Sequence, residues 1–149
     1  MKPKVSIIIS NRNDVSMLVV TIRSCIEELK PLGKGAGEIV IVDNSDLDVY
    51  KYLAGAIPSG YIRDKTVKFF RQDFPCLFTA RETAAIKSQG DYILCVDSHM
   101  IIGNNMIVDL VNFMDSHTES NLGFAHAPIN WAHQHEASSL TIVTGKHSM

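Results

Sequence analysis

The segment GDYILCVDSHMIIG, residues 90–103, places two metal-binding residue types directly after an apolar run. In an extended chain alternate side chains point the same way, so we expect Asp97 and His99 to reach one point while Ser98 faces elsewhere. A carboxylate oxygen and an imidazole nitrogen suit Mn²⁺ (or Mg²⁺) and leave coordination positions open for phosphate oxygens. Two ligands alone bind a metal weakly, so the ion is expected to arrive with a diphosphate. The alternative is that Asp97 caps a helix and His99 is a surface residue.

A second apolar run also ends in polar side chains, in the segment IVIVDNSD, residues 39–46. Asp43 can accept a hydrogen bond from an N–H group of a nucleobase, and Asn44 and Ser45 can reach the base or the ribose. The alternative is that Asp43 and Asp46 only cap the following helix. This segment alone does not predict a nucleoside contact; the prediction depends on other polar loops lying beside it.

Arg81 is the third chemical candidate, and it lies in the first part of a predicted helix that leads into the Asp97 run. A guanidinium group matches the geometry of phosphate, so Arg81 can bind a diphosphate or close over a base. The alternative is a solvent-facing arginine paired with a carboxylate.

The elements that must position these residues alternate along the chain. Short β-branched runs predict strands, and segments with apolar residues at helical spacing predict helices. The predicted strands are residues 4–10, 38–42, 67–71, 92–96 and 122–127, and the predicted helices are about 14–30, 48–56, 77–88 and 104–115, with a Pro/Gly break at 58–60. This alternation predicts an α/β, Rossmann-like sandwich around a mostly parallel sheet.

Parallel sheets of this kind bind ligands at the carboxyl ends of their strands. The first strand ends in Ser10, Asn11 and Arg12, and the strands that end near Asp43 and Asp97 are polar at the same point. Any one such loop is explained by turns and caps alone. We expect the three to meet at one edge and to form a single ligand site.

Composition limits the class of protein. The 149 residues are 46% hydrophobic and 20% charged, which predicts one folded domain over residues 1–149. A net charge of −2 provides no basic field for nucleic acid. The three cysteines predict buried reduced thiols, and no apolar run is long enough for a signal peptide or a membrane span. These features predict a cytoplasmic chain whose partner is a small molecule.

The order of these motifs resembles the nucleotide-sugar-binding half of family-2 glycosyltransferases with the GT-A fold, over about residues 5–129. In that family a polar first tip, an acidic loop and an Ala-Arg helix precede an Asp-X-Asp metal motif. The Asp-Ser-His form found here resembles that of the polypeptide N-acetylgalactosaminyltransferases. The matching positions are Ser10, Asn11, Arg12, Asp43, Ala80, Arg81, Gly90 and Asp97.

The resemblance implies a metal-dependent glycosyltransferase, or the donor-binding part of one. Its first two loops would hold the nucleoside of a nucleoside-diphosphate sugar, Arg81 would flank it, and Asp97 with His99 would hold the metal on the diphosphate. The acceptor, whether glycan, lipid or protein, is not identified. The residues implied for the nucleotide sugar are Ser10, Asn11, Arg12, Asp43, Asn44, Arg81 and Asp97.

Three positions depart from the family pattern. His99 replaces the second Asp, Glu82 stands where Asn is usual, and Asn44-Ser45 replaces Asp-Gly-Ser. The family also carries its acceptor site in a further segment, so we expect the acceptor side to be short or missing here. An inverting transfer needs a carboxylate base, and no acidic residue follows Glu136, so the sequence assigns no catalytic base.

The tail NWAHQHEA and two other functions remain as alternatives. His133, His135 and Glu136 could begin a metal site, although a polar loop anchored by Trp131 explains them as well. A sugar-nucleotide nucleotidyltransferase is a second possible enzyme, but SNRND lacks the Gly-rich phosphate loop. A non-catalytic nucleotide-sugar-binding or regulatory module is the alternative from another class.

Overall fold

The computed structural model describes residues 2–103 and 105–117, and the backbone of residues 124–131 and 134–143. Strands and helices alternate through its first four strands, as predicted. The strands are β1 (Val5–Asn11), β2 (Gly37–Asp43), β3 (Val67–Arg71), β4 (Tyr92–Asp97), β5 (Phe124–Trp131) and β6 (Gln134–Val143). The helices are α1 (Val15–Leu29), α2 (Tyr50–Ala56), α3 (Ser59–Arg63), α4 (Leu77–Lys87) and α5 (Met106–Ser116), with a 3₁₀ turn at Lys30–Leu32.

The strands form one sheet in the order β3-β2-β1-β4-β6-β5. The first four are parallel, whereas β6 runs antiparallel to β4 and β5 antiparallel to β6. The prediction of an α/β sandwich around a mostly parallel sheet is therefore confirmed.

Helices cover both faces of the parallel part of the sheet, which is why its strands are apolar at consecutive positions. On one face, α1, α2 and α5 bury Ile22, Leu53 and Val111 against the sheet. On the other face, α4 packs through Ala80 and Ala84, whose small side chains let the helix lie close to β1 and β2. Both α1 and α4 are thereby fixed relative to the carboxyl ends of the strands.

Capping and close packing set the ends of the elements. The side chain of Asp14 accepts a hydrogen bond from the Met17 N–H at 3.3 Å and so caps α1. At the turn between α4 and β4, Gly90 donates its N–H to Ser6 Oγ at 2.8 Å. A β-carbon at Gly90 would lie 2.6 Å from the Ser6 backbone nitrogen, so the turn requires glycine.

The structure differs from the sequence-based expectation in two elements. A short helix, α3, follows Pro58 where a break was predicted, because a proline directly before a helix does not interrupt its hydrogen bonds. Residues 134–143 form β6, which includes part of the segment that a polar loop or the start of a metal site was predicted to occupy, and β5 extends to Trp131. Of the predicted tail cluster, His133 and the side chains of Trp131, His135 and Glu136 lie outside the described residues.

The cysteines are less uniform than predicted. All three are free, but only Cys25 is buried, while Cys76 and Cys95 are half-buried. Cys76 is partly accessible because it precedes the first residue of α4, in the loop that follows β3. Within the described ranges, no helix combines the length and the apolar character needed to cross a bilayer.

Candidate functional site

The predicted loops meet at one edge of the sheet. Asn11, the last residue of β1, pairs in register with Asp43 of β2, and Ser10 pairs with Asp97 of β4. Parallel strands with this register end side by side, so the three tips form one continuous edge. This confirms the expected convergence.

Asp43 is the centre of a hydrogen-bond network at this edge and has no exposed surface. Its Oδ1 accepts hydrogen bonds from Asn11 Nδ2 at 2.8 Å and from Ser45 Oγ at 2.5 Å. Its Oδ2 is paired with Arg71 Nη1 at 2.6 Å. A buried carboxylate needs such partners, because an unpaired charge away from water is costly. Asp43 therefore faces protein groups rather than an open site.

Arg71, the last residue of β3, is a site residue that the sequence analysis missed. It pairs in register with Asp43, and its guanidinium also donates to the carbonyl oxygens of Ser45 and of Leu47, the latter at 3.4 Å. A signal was present in the sequence, since Arg71 is the charged residue at the end of a predicted strand. Selecting the polar residue at the carboxyl end of each predicted strand, as was done for the other strands, would have identified Arg71.

The loops after β1 and β2 are fastened to each other. Asn13, in the left-handed region with φ 59°, donates Nδ2 to Asp46 Oδ2 at 2.8 Å and accepts the Asp46 N–H at 2.9 Å. Its own N–H donates to Ser45 Oγ at 2.7 Å. Arg12 pairs with Asp46 at 3.3 Å, and both side chains are exposed. The two predicted nucleoside loops are thus one connected unit.

Asn44 and Ser10 have different surroundings at the same edge. Asn44 is buried, and in the amide orientation that satisfies its neighbours it donates to Asn11 O at 3.1 Å and accepts from the Cys76 N–H at 3.2 Å. Ser10 is half-buried. Of the predicted nucleoside contacts, Ser10 and Arg12 have accessible surface, whereas Asn11, Asp43 and Asn44 are buried.

Among the described residues, two buried amide oxygens at the tips have no hydrogen-bond partner: Asn11 Oδ1 and Gln72 Oε1. Gln72 follows β3, donates its N–H to Asp43 O at 2.9 Å, and holds the next loop through Phe74 O and Cys76 O. An amide oxygen in a protein interior requires an N–H or O–H donor, from water or from a ligand.

Arg81 reaches from α4 to the end of β4, where its Nη2 lies 2.8 Å from Asp97 Oδ1. The two side chains are 40% and 51% exposed, so a ligand can approach both. The sequence left open whether Arg81 meets a phosphate or a carboxylate. In this structure its partner is the predicted metal ligand.

The sequence argument assumed that Asp97 and His99 lie in one extended segment, but His99 does not lie in such a segment. β4 ends at Asp97, and Ser98 and His99 form a turn. Thr21 of α1 fixes this turn, because its hydroxyl donates to Ser98 O and accepts from the Met100 N–H, each at 2.9 Å. Both Asp97 and His99 are exposed. The relative position of the Asp97 and His99 side chains is therefore set by the turn and not by the alternation of side chains along a strand.

The donor set limits what this position can bind. Over the described part of the chain, no group of three His, Cys, Asp or Glu side chains is placed to hold a metal ion. One carboxylate and one imidazole fit Mn²⁺ only if other ligands complete its shell, such as phosphate oxygens. The residues therefore fit a metal that enters with its nucleotide.

A cavity of about 330 Å³ lies elsewhere, between α2, α3 and strands β2 and β3. Its lining is mainly apolar and includes Leu53, Ile57 and Phe69, and none of the predicted site residues borders it. The candidate site at the sheet edge is thus separate from this cavity.

Comparison with known proteins identifies a family and several solved structures that this chain resembles. The model of the family described as glycosyl transferase family 2 matches residues 6–142. Among solved structures, S. aureus TarS 1–349 aligns with a TM-score of 0.68 and 18% identity over 95% of this chain and 47% of that chain. TarS 1–349 in complex with UDP-GlcNAc aligns at 0.61 and 21% identity over 77% of this chain and 32% of that chain.

A third solved structure is the mannosyltransferase PcManGT from Pyrobaculum calidifontis in complex with GDP-Man and Mn²⁺. It aligns with a TM-score of 0.66 and 16% identity over 83% of this chain and 35% of that chain. No curated protein sequence matches the chain significantly. The chain spans less than half the length of each of these structures, and at these identities the likeness concerns the fold.

Proposed function

The chain belongs to glycosyl transferase family 2 and has the GT-A fold, and on that premise we propose that it binds a nucleoside-diphosphate sugar and transfers the sugar to an acceptor with the help of a divalent metal ion. The observation that carries the proposal is the meeting of the β1, β2 and β4 tips in register, with Arg81 beside Asp97. This edge offers the connected loops after β1 and β2 on one side and a cation next to a carboxylate on the other.

In this proposal the nucleoside lies against the connected loops after β1 and β2. Ser10 and Arg12 have accessible surface and can contact it directly. Asn11 Oδ1, which has no hydrogen-bond partner among the described residues, can accept a hydrogen bond from an N–H group of a base or from an O–H group of a bridging water. Asp43 and Asn44 are buried, so they contribute by holding the loops in place.

The diphosphate lies near α4 and the end of β4. The guanidinium of Arg81 can pair with phosphate oxygens as readily as with a carboxylate. Asp97 and His99 would hold Mn²⁺, or Mg²⁺, together with the diphosphate oxygens. Such an ion, when bound, offsets the negative charge that develops on the leaving diphosphate.

A nucleotide panel tests the proposal. The ligands are UDP, GDP, UDP-GlcNAc and GDP-Man, because TarS and PcManGT have been solved with ligands of these types. Each is added to the protein with Mn²⁺ and then with an excess of chelator, and the melting temperature is measured. A ligand that binds only the folded state raises this temperature.

We expect at least one nucleotide to stabilise the protein in Mn²⁺ and to lose most of that effect in chelator. If none of the four stabilises it under either condition, the proposed donor site is wrong. Release of sugar from a bound donor distinguishes an enzyme from a non-catalytic module, since a module binds the donor and leaves it intact.

A further inference from the structure

We propose that Arg71 is a positioning residue for the nucleoside loops, acting through Asp43. This inference rests on the proposed function and names a residue that neither the sequence motifs nor the family match assigns. Arg71 does not need to touch the nucleotide. It fixes the loops that do.

The contacts of Arg71 reach three points of the β2–α2 loop. Its Nη1 is 2.6 Å from Asp43 Oδ2, and the guanidinium also donates to the carbonyl oxygens of Ser45 and Leu47. A planar guanidinium can bind a carboxylate and backbone oxygens at once, whereas an ammonium is a single point charge. Arg71 therefore fixes both the start and the course of this loop.

From Asp43 the network passes to the other loop. The carboxylate accepts from Asn11 Nδ2 and from Ser45 Oγ, and Ser45 Oγ in turn accepts the Asn13 N–H at 2.7 Å. A displaced Asp43 would release both contacts together. One arginine on β3 thus sets the positions of the tips of β1 and β2.

The chain contains a matched pair at the opposite end of the same two strands. Glu38 of β2 is buried and pairs with Lys68 of β3, with 2.5 Å between Oε2 and Nζ. Each pair joins a buried β2 carboxylate to a β3 cation, but Glu38 also accepts hydrogen bonds from Ser6 Oγ and the Gln89 N–H, far along the strands from the tips. Loss of either cation leaves a buried carboxylate uncompensated and destabilises the fold.

The experiment compares Arg71→Gln with Lys68→Gln. Stability is measured by chemical denaturation, and affinity for UDP or GDP with Mn²⁺ is measured by calorimetry below both melting transitions. We expect both variants to lose stability. Only Arg71→Gln should lose nucleotide affinity, by about tenfold or more, because it removes the charge-assisted contacts that fix the nucleoside loops. Equal affinity in the two variants would overturn the proposal.

Two further variants keep the proposal testable if Arg71→Gln does not fold. Asp43→Asn with Arg71→Gln removes the buried carboxylate together with its partner cation, so it should recover stability while nucleotide affinity stays low. Arg71→Lys keeps the charge but cannot bridge to the loop carbonyls, so it should be more stable than Arg71→Gln and still bind more weakly than wild type. Wild-type affinity in the double variant would contradict a positioning role.

Amide hydrogen exchange separates this inference from the proposed function, because it needs no nucleotide. The N–H groups of Asn13 and Asp46 are bonded across the two loops, so Arg71→Gln should speed their exchange and Lys68→Gln should leave it unchanged. If wild-type protein binds no nucleotide, the proposed function is wrong, and these exchange rates alone decide whether Arg71 orders the loops. Unchanged exchange rates in Arg71→Gln would refute the positioning role of Arg71.

Discussion

Arg81 forms an ion pair with Asp97, with 2.8 Å between Nη2 and Oδ1, at the end of β4. The carboxylate proposed to bind a metal is thus already paired with a cation. Because both side chains are about half exposed, the pair itself contributes little to stability and can be exchanged for other partners. A metal ion bound to Asp97, as proposed, would compete with the guanidinium, which would then be available to the diphosphate.

Asp97→Ala should abolish the metal dependence of nucleotide binding and leave the fold intact, because the side chain it removes is exposed. Calorimetry with UDP or GDP, in Mn²⁺ and then in chelator, measures the difference. Asp91→Ala is the matched control, since Asp91 precedes β4 at its other end and forms an exposed pair with Lys2. A chelator effect that survives in Asp97→Ala would show that the metal is held elsewhere.

Arg81→Gln should change two affinities in opposite directions. Affinity for Mn²⁺ alone should rise because Asp97 loses its competing cation, while affinity for the diphosphate should fall because the guanidinium is gone. Paramagnetic resonance of free Mn²⁺ measures the first quantity and calorimetry the second. Lys87→Gln, at the last residue of α4, removes the same charge away from Asp97 and should change neither by more than about twofold. A fall in both affinities would argue against competition.

His99→Asp should shift the metal preference from Mn²⁺ towards Mg²⁺. Replacing a borderline nitrogen ligand with a carboxylate favours the harder ion. The ratio of nucleotide affinities in the two metals provides the measurement. If the variant keeps the parent ratio, His99 is a surface residue and Asp97 acts without it.

The sequence predicted the parallel sheet and the meeting of its tips because both depend on local patterns. Apolar runs identify strands buried on two faces, and parallel pairing brings their polar ends to one edge. The roles within that edge depend on contacts between distant residues. Asp43 was predicted to meet a base, and the sequence did not indicate that its carboxylate pairs with Arg71, which lies 28 residues along the chain.

Two other differences have the same origin. The alternation argument for His99 requires an extended chain, but that segment is a turn, in which the Thr21 hydroxyl donates to Ser98 O and accepts from the Met100 N–H. The start of β6 was interpreted as a polar loop or the beginning of a metal site, and it becomes part of a strand through pairing with β4 and β5. In both cases tertiary contacts override a local pattern.

Gly90→Ala and Gly55→Ala should change stability with opposite signs. At Gly90 the added methyl group meets the Ser6 backbone, so the free energy of unfolding should fall by about 1–3 kcal/mol. At Gly55, inside α2, the added group meets no atom within 4 Å, and alanine should raise stability by about 0.5–1 kcal/mol. Urea unfolding measures both. A neutral Gly90→Ala would mean that the turn adjusts without cost.

Cys76 should be the fastest thiol to react with iodoacetamide. Hydrogen bonds with Thr79 lower the pKa of Cys76, whereas burial raises the pKa of Cys25 to about 12 and also raises that of Cys95. Because the thiolate is the nucleophile, a lower pKa preserves reactivity as the pH falls from mildly alkaline to neutral. Mass spectrometry of the labelled protein identifies the site, and Cys76→Ser should remove the fast phase. A fast phase on Cys25 would contradict the burial.

Strand β3 stands at one end of the described sheet and is bonded there to β2 alone. Its sequence, VKFFR, carries two adjacent phenylalanines, and an apolar strand at a sheet edge is a template for pairing with other chains. Lys68 and Arg71 keep positive charge on that edge, and their partners on β2 hold them there. The two ion pairs thus also bear on solubility, since they discourage self-association along this border. Light scattering should therefore accompany every substitution at either cation, so that weak binding is not confused with aggregation.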